Sequence, residues 1–160
     1  MSIKEGDKVP AIGLKRMGEN GPEDVDPAEY FSGKKVVLFS VPGAFTPTCS
    51  AKHLPGFVNQ SEALRAKGVE SIACLAVNDA FVMGAWGKDQ QADGKVDMLA
   101  DGSAAFTSAL GLELDLVAAG LGVRGKRFAM IVDDGTVTHL AVEEPGAFEV
   151  SSAEAILAKL

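Results

Sequence analysis

One of the two cysteines in the chain, Cys49, follows a loop that contains Pro42 and Pro47, at the point where a helical pattern begins. The reactive nucleophile is a thiolate rather than a thiol, and a free cysteine is mostly protonated near neutral pH. In the first turn of a helix, unpaired N–H groups and the positive end of the helix dipole favour the anion. The position therefore predicts an activated thiolate. The alternative is a small buried side chain, as most free cysteines are.

A hydroxyl and two prolines accompany this cysteine. Thr46 lies three residues before Cys49, and because it is not a cysteine, the two positions cannot form the local disulfide of a dithiol oxidoreductase. Its hydroxyl can donate a hydrogen bond to the sulfur or to a substrate oxygen, although capping of the helix is an alternative role. Pro42 and Pro47 fix φ angles in the loop, which makes them candidates for shielding the sulfur from water.

The elements that must position this loop follow an α/β order. Residues 35–41 and 69–77 are apolar runs typical of strands buried on both faces. Between them, apolar side chains recur at helical spacing up to residue 67. Asp134-Gly135 predicts a hairpin between two further strands, and residues 151–160 predict a final amphipathic helix. This order is found in thioredoxin-like folds, so we expect a central mixed β-sheet flanked by helices.

Length and composition indicate a single domain over residues 1–160. The chain is 47% hydrophobic and 23% charged, which is ordinary for a packed core. Its net charge of −7 argues against a nucleic acid or an anionic membrane as the main partner. The charged N-terminus has no apolar segment, so we expect no secretory signal and a cytoplasmic location. Two thiols indicate a reducing compartment, and His53 and His139 are too scattered to complete a zinc site.

Three segments of the chain resemble one protein family. They are VPGAFTPTCSAKHLPGF at residues 41–57, VNDAFVMGAW at residues 77–86 and LGVRGKRFAMIVDDG at residues 121–135. Together and in this order they resemble the active-site signature and later blocks of the peroxiredoxins, specifically the subfamily called type V in animals and type II in plants and bacteria. The resemblance extends from about residue 4 to the C-terminal helix.

The resemblance implies catalytic roles for four residues. Cys49 matches the peroxidatic cysteine, which attacks the terminal peroxide oxygen and becomes a sulfenic acid. Thr46 and Pro42 match the hydrogen-bond partner and the shield in the Pro-x-x-x-Thr-x-x-Cys motif. Arg127 matches the distant arginine of the site, which favours the thiolate and orients peroxide oxygens. Without the resemblance, a solvated arginine at a strand end is the better interpretation of Arg127.

Further residues around the site are interpreted in the same way. Gly43, Phe45 and His53 are expected to line the peroxide pocket. A Cys/His pair at this spacing is also compatible with a hydrolase, but no Asp or Asn obviously orients the histidine. Phe45 and residues 81–86 are expected at a homodimer contact, and the nearby cations Arg124 and Lys126 are interpreted as surface charges.

The implied activity is that of a thiol-dependent peroxidase that reduces hydrogen peroxide and small organic hydroperoxides. No cofactor, metal, nucleic acid or membrane is called for. We expect the oxidised cysteine to be reduced by glutathione with glutaredoxin or by thioredoxin. The alternative is a redox-signalling protein that binds partners through its oxidised Cys49 and turns over slowly.

The second cysteine is the only candidate for a resolving thiol. Animal members of the subfamily carry a resolving cysteine near the start of the C-terminal helix, where this chain has Ser151 and Ser152. Cys74 lies 25 residues after Cys49, a spacing that resembles plant type II members. Its apolar neighbours predict a buried central strand, from which a disulfide to a helix start would require rearrangement of both elements. We therefore expect a one-cysteine cycle.

Overall fold

The computed structural model describes residues 2–160. Its strands are β1 (Leu14–Gly18), β2 (Gly21–Val25), β3 (Lys35–Ser40), β4 (Ser71–Ala76), β5 (Asp97–Ala100), β6 (Glu113–Leu116), β7 (Gly122–Gly125), β8 (Phe128–Asp133) and β9 (Thr136–Val142). Its helices are α1 (Pro27–Tyr30), α2 (Leu54–Asn59), α3 (Ser61–Ala66), α4 (Ala80–Asp89), α5 (Ala105–Leu110) and α6 (Ala153–Leu157). A π-helical turn, Cys49–His53, precedes α2, and a 3-10 turn, Val117–Ala119, precedes β7.

Seven strands form one mixed sheet in the order β2-β1-β5-β4-β3-β8-β9. The central strands β3, β4 and β5 are parallel, whereas the strands on both sides pair antiparallel. The remaining strands, β6 and β7, form a separate hairpin. The apolar runs at residues 35–41 and 69–77 contain β3 and β4, whose side chains are buried beyond their first residues, as expected for strands covered on both faces.

The side chains of the sheet fill two cores, one on each face. Val37 and Phe39 of β3 belong to one core, and Val36 and Leu38 belong to the other, because side chains alternate along a strand. The first core is covered by α2, α3, α4 and α6 and contains Cys49. The cysteine is therefore held between the sheet and a layer of helices.

The predicted helix from residue 49 to residue 67 is divided into three parts. A π-helical turn, α2 and α3 follow one another, and the break between the two α-helices lies at Gln60. Pro55 lies in the first turn of α2, directly after the π-helical turn. The hairpins β1–β2 and β6–β7 have no counterpart in the sequence prediction. None of the helices within residues 2–160 has the length and hydropathy needed to cross a membrane.

Candidate active site

Cys49 lies where the chain leaves the sheet. β3 ends at Ser40, a loop through Pro42 and Thr46 follows, and Cys49 begins the π-helical turn. The Ser50 N–H donates to the Thr46 carbonyl over 2.9 Å, so helical hydrogen bonding starts within the loop. The Cys49 side chain is fully buried, and its thiol is free of any disulfide.

Arg127 reaches this cysteine through the pairing of β3 with β8. The two strands are antiparallel, and Ser40 at the end of β3 pairs with Phe128 at the start of β8. The residue before β8 therefore lies beside the loop after β3. Arg127 Nη2 donates a hydrogen bond to Cys49 Sγ over 3.1 Å. The two residues that the family resemblance pairs are in direct contact.

His53 lies behind the arginine and contacts it. Arg127 Nη1 and His53 Nδ1 are 2.8 Å apart, and His53 Nε2 is 2.9 Å from the Ser151 carbonyl oxygen. A carbonyl only accepts, so Nε2 carries the proton and the Nδ1 lone pair accepts from the arginine. Burial, and after it the charge of Arg127, lowers the pKa of His53 to about 3. The imidazole is neutral, and its lone pair is already occupied, which argues against a hydrolase base.

Aromatic rings enclose this histidine. Its ring centroid lies 4.9 Å from that of Phe39, 5.6 Å from that of Phe57 and 5.0 Å from that of Phe148. The Phe148 ring also lies 5.8 Å from the guanidinium carbon of Arg127. These contacts explain why the imidazole is buried and why its charged form is disfavoured.

A buried carboxylate, Glu143, binds the segment whose Ser151 carbonyl contacts His53. Glu143 accepts hydrogen bonds of 2.7–3.0 Å from the N–H groups of Glu149, Val150 and Ser151 and from the Ser151 hydroxyl. Burial by itself raises the pKa of Glu143, but these hydrogen bonds outweigh it and hold the pKa below its usual value. The Glu143 N–H donates to the Arg127 carbonyl over 2.9 Å. Neither Glu143 nor Ser151 was identified from the sequence as belonging to the site.

The Thr46 hydroxyl is directed at the backbone of its own loop. Thr46 Oγ1 donates to the Gly43 carbonyl over 2.7 Å. The hydrogen bond from Thr46 to the sulfur that the sequence allowed is not formed here. Because the hydroxyl proton is engaged by Gly43, the lone pairs of Thr46 Oγ1 remain as acceptors.

Arg124 is bound to the loop and is not a solvated surface charge, which corrects the sequence interpretation. Its Nε donates to the Leu121 carbonyl over 2.8 Å, and its Nη1 donates to the Pro42 carbonyl over 3.2 Å. A Cβ at Gly43 would lie 2.5 Å from Arg124 Nη1, so glycine leaves the room that the guanidinium occupies. Arg124 belongs to β7, which pairs with β6. The alternation of charged and apolar residues in ELDL at β6 is a strand signal that the sequence prediction did not use.

A cavity of about 300 Å³ opens beside Arg127. Its walls are formed by Pro42, Thr48, Leu114, Lys126, Arg127, Val142 and residues 143–147. Cys49 and Thr46 are absent from these walls, as are the residues expected to line the peroxide pocket, Gly43, Phe45 and His53, so the cavity adjoins the sulfur site without containing it. Phe45 is exposed, and His53 is fully buried behind the arginine. The half-buried Lys126 was interpreted as a surface charge but forms part of the wall.

The aromatic residues expected at a dimer contact differ in exposure. Phe45 and Phe81 are 54% and 65% exposed. Trp86 is fully buried and donates from Nε1 to Ser50 Oγ over 3.0 Å, directly after the cysteine. Trp86 therefore holds the π-helical turn within the subunit and does not contribute to an outer surface.

Cys74 lies inside the sheet, as expected. It pairs with Phe39 on β3 and with Met98 on β5, and its side chain is fully buried. Burial, and after it the proximity of Cys49, raises the pKa of the Cys74 thiol. Since a thiolate is the species that attacks an oxidised sulfur, this environment disfavours Cys74 as a resolving residue.

Comparison with known proteins decides the family. The sequence of the chain matches the Redoxin family over residues 4–157. Peroxiredoxin-2B of Arabidopsis thaliana is 52% identical over 161 residues, which cover 99% of this chain and 98% of the relative. The chain belongs to the peroxiredoxins. Members of this family are thiol peroxidases, so the chain is an oxidoreductase of that class, as the resemblance implied.

Solved structures of peroxiredoxins share the fold. The crystal structure of reduced Prx3 from Vibrio vulnificus in complex with hydrogen peroxide has a TM-score of 0.95 at 54% identity and covers 98% of both chains. Peroxiredoxin 5 from Alvinella pompejana has a TM-score of 0.85 at 35% identity, covering 98% of this chain and 96% of the other. The thioredoxin-like fold predicted for this peroxiredoxin is confirmed.

Proposed function

We propose that this peroxiredoxin reduces hydrogen peroxide and small organic hydroperoxides through a sulfenic acid on Cys49. The main support is the 3.1 Å hydrogen bond from Arg127 Nη2 to Cys49 Sγ, because a guanidinium in contact with sulfur favours the thiolate. The sulfur attacks the terminal peroxide oxygen and the O–O bond breaks. The departing oxygen takes up a proton and leaves as water or an alcohol. Two electrons pass from the sulfur to the peroxide.

The neighbouring residues divide the remaining tasks. Arg127 stabilises the negative charge that develops on the departing oxygen. The Thr46 hydroxyl donates to Gly43 and therefore accepts a hydrogen bond from the O–H group of the peroxide. Pro42 forms part of the cavity wall and shields the sulfur from water. A relative that is 54% identical has been crystallised with hydrogen peroxide, which supports hydrogen peroxide as a substrate here.

The cavity beside Arg127 is where the organic substituent of a hydroperoxide binds. Leu114, Val142 and Pro145 provide apolar wall, while Lys126 and Arg127 provide cations. A volume of about 300 Å³ accommodates a small organic group. This supports small organic hydroperoxides as substrates beside hydrogen peroxide itself.

Recycling proceeds through a one-cysteine cycle. Cys74 is fully buried in β4 between two paired strands, and its thiol is disfavoured as a nucleophile. An external thiol therefore attacks the Cys49 sulfenic acid, forming a mixed disulfide and releasing water. A second thiol then releases reduced Cys49. Glutathione with glutaredoxin is the favoured donor, and thioredoxin is the alternative.

The protein works as a homodimer in the cytoplasm. The exposed rings of Phe45 and Phe81 support a contact between subunits, because large apolar side chains beside a site are usually covered. The two unpaired cysteines support the location in a reducing compartment. Sedimentation at about 100 µM that detects only monomer would count against the dimer.

Steady-state peroxide consumption tests the proposed reaction. Wild-type protein is assayed with hydrogen peroxide and with tert-butyl hydroperoxide, using glutathione plus glutaredoxin or thioredoxin plus its reductase as donor. We expect turnover with both peroxides and faster turnover with the glutathione system. Cys49→Ser is the control, and it should consume no peroxide above background. Full activity of that variant would overturn the assignment of Cys49.

A further inference from the structure

A continuous chain of hydrogen bonds connects a carboxylate to the reactive sulfur. Glu143 accepts hydrogen bonds from the N–H and hydroxyl groups of Ser151, and the Ser151 carbonyl accepts one from His53 Nε2. His53 Nδ1 accepts from Arg127 Nη1, and Arg127 Nη2 donates to Cys49 Sγ. Every link lies between 2.7 and 3.1 Å.

The direction of each hydrogen bond in this chain is fixed. The Ser151 carbonyl places the proton on His53 Nε2, which leaves Nδ1 as an acceptor. With the opposite tautomer, an N–H of His53 would face an N–H of Arg127, and Nε2 would face the carbonyl without a proton. The backbone at Ser151 thus determines which group His53 presents to the guanidinium.

The hydrogen bond from Arg127 to His53 adds a fixed contact to the guanidinium, which otherwise contacts the sulfur and the Phe148 ring. An arginine side chain has many rotamers, and the sulfur supplies one contact to Arg127, at Nη2. His53 supplies a second contact at Nη1, and its ring is held by Phe39, Phe57 and Phe148. An acceptor fixed by a packed ring restricts the guanidinium to the orientation that reaches Cys49.

The carboxylate holds the other end of the chain in place. Segment 149–151 connects the turn after β9 to α6, and its three N–H groups all converge on Glu143. Glu143 also contacts the backbone directly before β8, since its own N–H donates to the Arg127 carbonyl. The same residue therefore fixes the Ser151 carbonyl relative to Arg127.

We propose that His53 and Glu143 are positioning residues of the peroxidase reaction: Glu143 anchors the Ser151 carbonyl, this carbonyl fixes the tautomer of His53, and His53 orients Arg127 toward Cys49. The inference rests on the proposed function of Cys49 and Arg127. It assigns His53 a role behind the arginine, distinct from lining the peroxide pocket. It also assigns a function to segment 149–151, which is absent from the walls of the cavity beside Arg127.

A double-mutant cycle tests this assignment. The rate constant for hydrogen peroxide with reduced protein is measured for His53→Phe, for Arg127→Ala and for the double variant. If His53 acts through Arg127, His53→Phe should lower the rate about 10-fold in the wild-type background and less than about 2-fold when Arg127 is already alanine. A purely structural role predicts the same loss in both backgrounds, and that result would overturn the inference.

Conservative variants provide the matched controls. In His53→Gln the side-chain amide can donate to Ser151 and accept from Arg127, so its rate should remain within about 3-fold of wild type. Glu143→Gln, which weakens the acceptor for segment 149–151, should lose about 5-fold, and Glu149→Gln, whose exposed carboxylate lies outside the chain, should lose nothing. Equal rates for Glu143→Gln and Glu149→Gln would overturn the role of Glu143.

Folding and the proposed function are controlled separately. Urea unfolding of every variant identifies those that are folded at the assay temperature, and His53→Leu replaces His53→Phe if the latter is not. Cys49→Ser gives the background rate. An inactive Cys49→Ser together with an unimpaired His53→Phe contradicts this inference alone, whereas an active Cys49→Ser contradicts the proposed function.

Discussion

The guanidinium of Arg127 donates to the sulfur of Cys49 over 3.1 Å, although the two residues are 78 positions apart in the sequence. The contact exists because the end of β3 pairs with the start of β8. The sheet therefore brings together a cysteine from the loop after one strand and an arginine from the loop before another. A cation in this position favours the thiolate, and in the proposed reaction it stabilises the charge that moves onto the departing oxygen.

Replacing Arg127 should impair reactivity much more than folding. Arg127→Ala removes a donor to a charged transition state, so the rate constant with hydrogen peroxide should fall about 100-fold or more. Arg124→Ala, which removes the hydrogen bond to the Pro42 carbonyl but no contact with the sulfur, should lose only a few-fold. Stopped-flow kinetics with circular dichroism on both variants checks this. An unchanged rate in folded Arg127→Ala would show that this arginine has no catalytic role.

The Thr46 hydroxyl should be required as an acceptor. Thr46→Val keeps the shape of the side chain but removes the hydroxyl, which donates to the Gly43 carbonyl and in the proposed reaction accepts from the peroxide, so the rate should fall about 10-fold or more. Thr46→Ser keeps the oxygen and should stay within about 3-fold of wild type. Rate constants for this pair give the comparison. A loss in Thr46→Ser that equals or exceeds the loss in Thr46→Val would show that the hydroxyl is not what the reaction requires.

Burial of neutral His53 should make the fold sensitive to mild acid. The pKa of His53 is about 3 in the folded chain and 6.5 when unperturbed, so below pH 6.5 the unfolded state binds a proton that the folded state does not. Protonation therefore favours unfolding, and stability falls by about 1.4 kcal/mol per pH unit from 6.5 down toward 3. Urea unfolding should show wild type losing roughly 2 kcal/mol more than His53→Gln between about pH 7 and pH 5.

This pH interval separates His53 from the nearby carboxylate. The pKa of Glu143 is lowered from 4.5, so its contribution is complete above that value and is lost only as pH falls below it. Parallel pH dependence of the wild type and His53→Gln would mean that the histidine is not buried as a neutral group.

Cys74 should be dispensable for turnover. Alanine is the suitable replacement, because a serine hydroxyl in this apolar strand would be buried without a partner at a cost of about 1–3 kcal/mol. Cys74→Ala should retain most of the activity supported by glutathione and glutaredoxin. Non-reducing mass spectrometry of the wild type after one equivalent of peroxide should find no quantitative Cys49–Cys74 disulfide. Such a disulfide, formed at the rate of turnover, would make Cys74 the resolving thiol.

The sequence predicts the elements that carry a local signal, such as a continuous apolar run or a turn dipeptide. β3 and β4 are apolar runs, and the turn at Asp134-Gly135 has φ values of 48° and 80°, as a tight hairpin turn requires. The Cys49–Arg127 pair is indicated by resemblance rather than by pattern, since no local feature marks a strand-end arginine as catalytic.

The support behind Arg127 has no signal in the sequence. Glutamate is almost always exposed, and Glu143 lies in a turn rich in charge, glycine and proline, so nothing local indicates that it is buried. The family resemblance indicates that His53 lines the peroxide pocket, whereas its buried ring lies between Arg127 and the Ser151 carbonyl. These contacts arise from the packing of residues 143–151 against the sheet end, which is a property of the whole fold.

Trapping with dimedone shows directly whether peroxide oxidises Cys49 to a sulfenic acid. Reduced protein is mixed with one equivalent of hydrogen peroxide in the presence of dimedone, and the peptides containing Cys49 and Cys74 are quantified by mass spectrometry. We expect a dimedone adduct on Cys49 that forms as the peroxide disappears, and none on Cys74. Cys74→Ala should give the same adduct on Cys49, and Cys49→Ser should consume no peroxide above background. Peroxide consumption without modification of Cys49 would show that the reaction does not proceed through this cysteine.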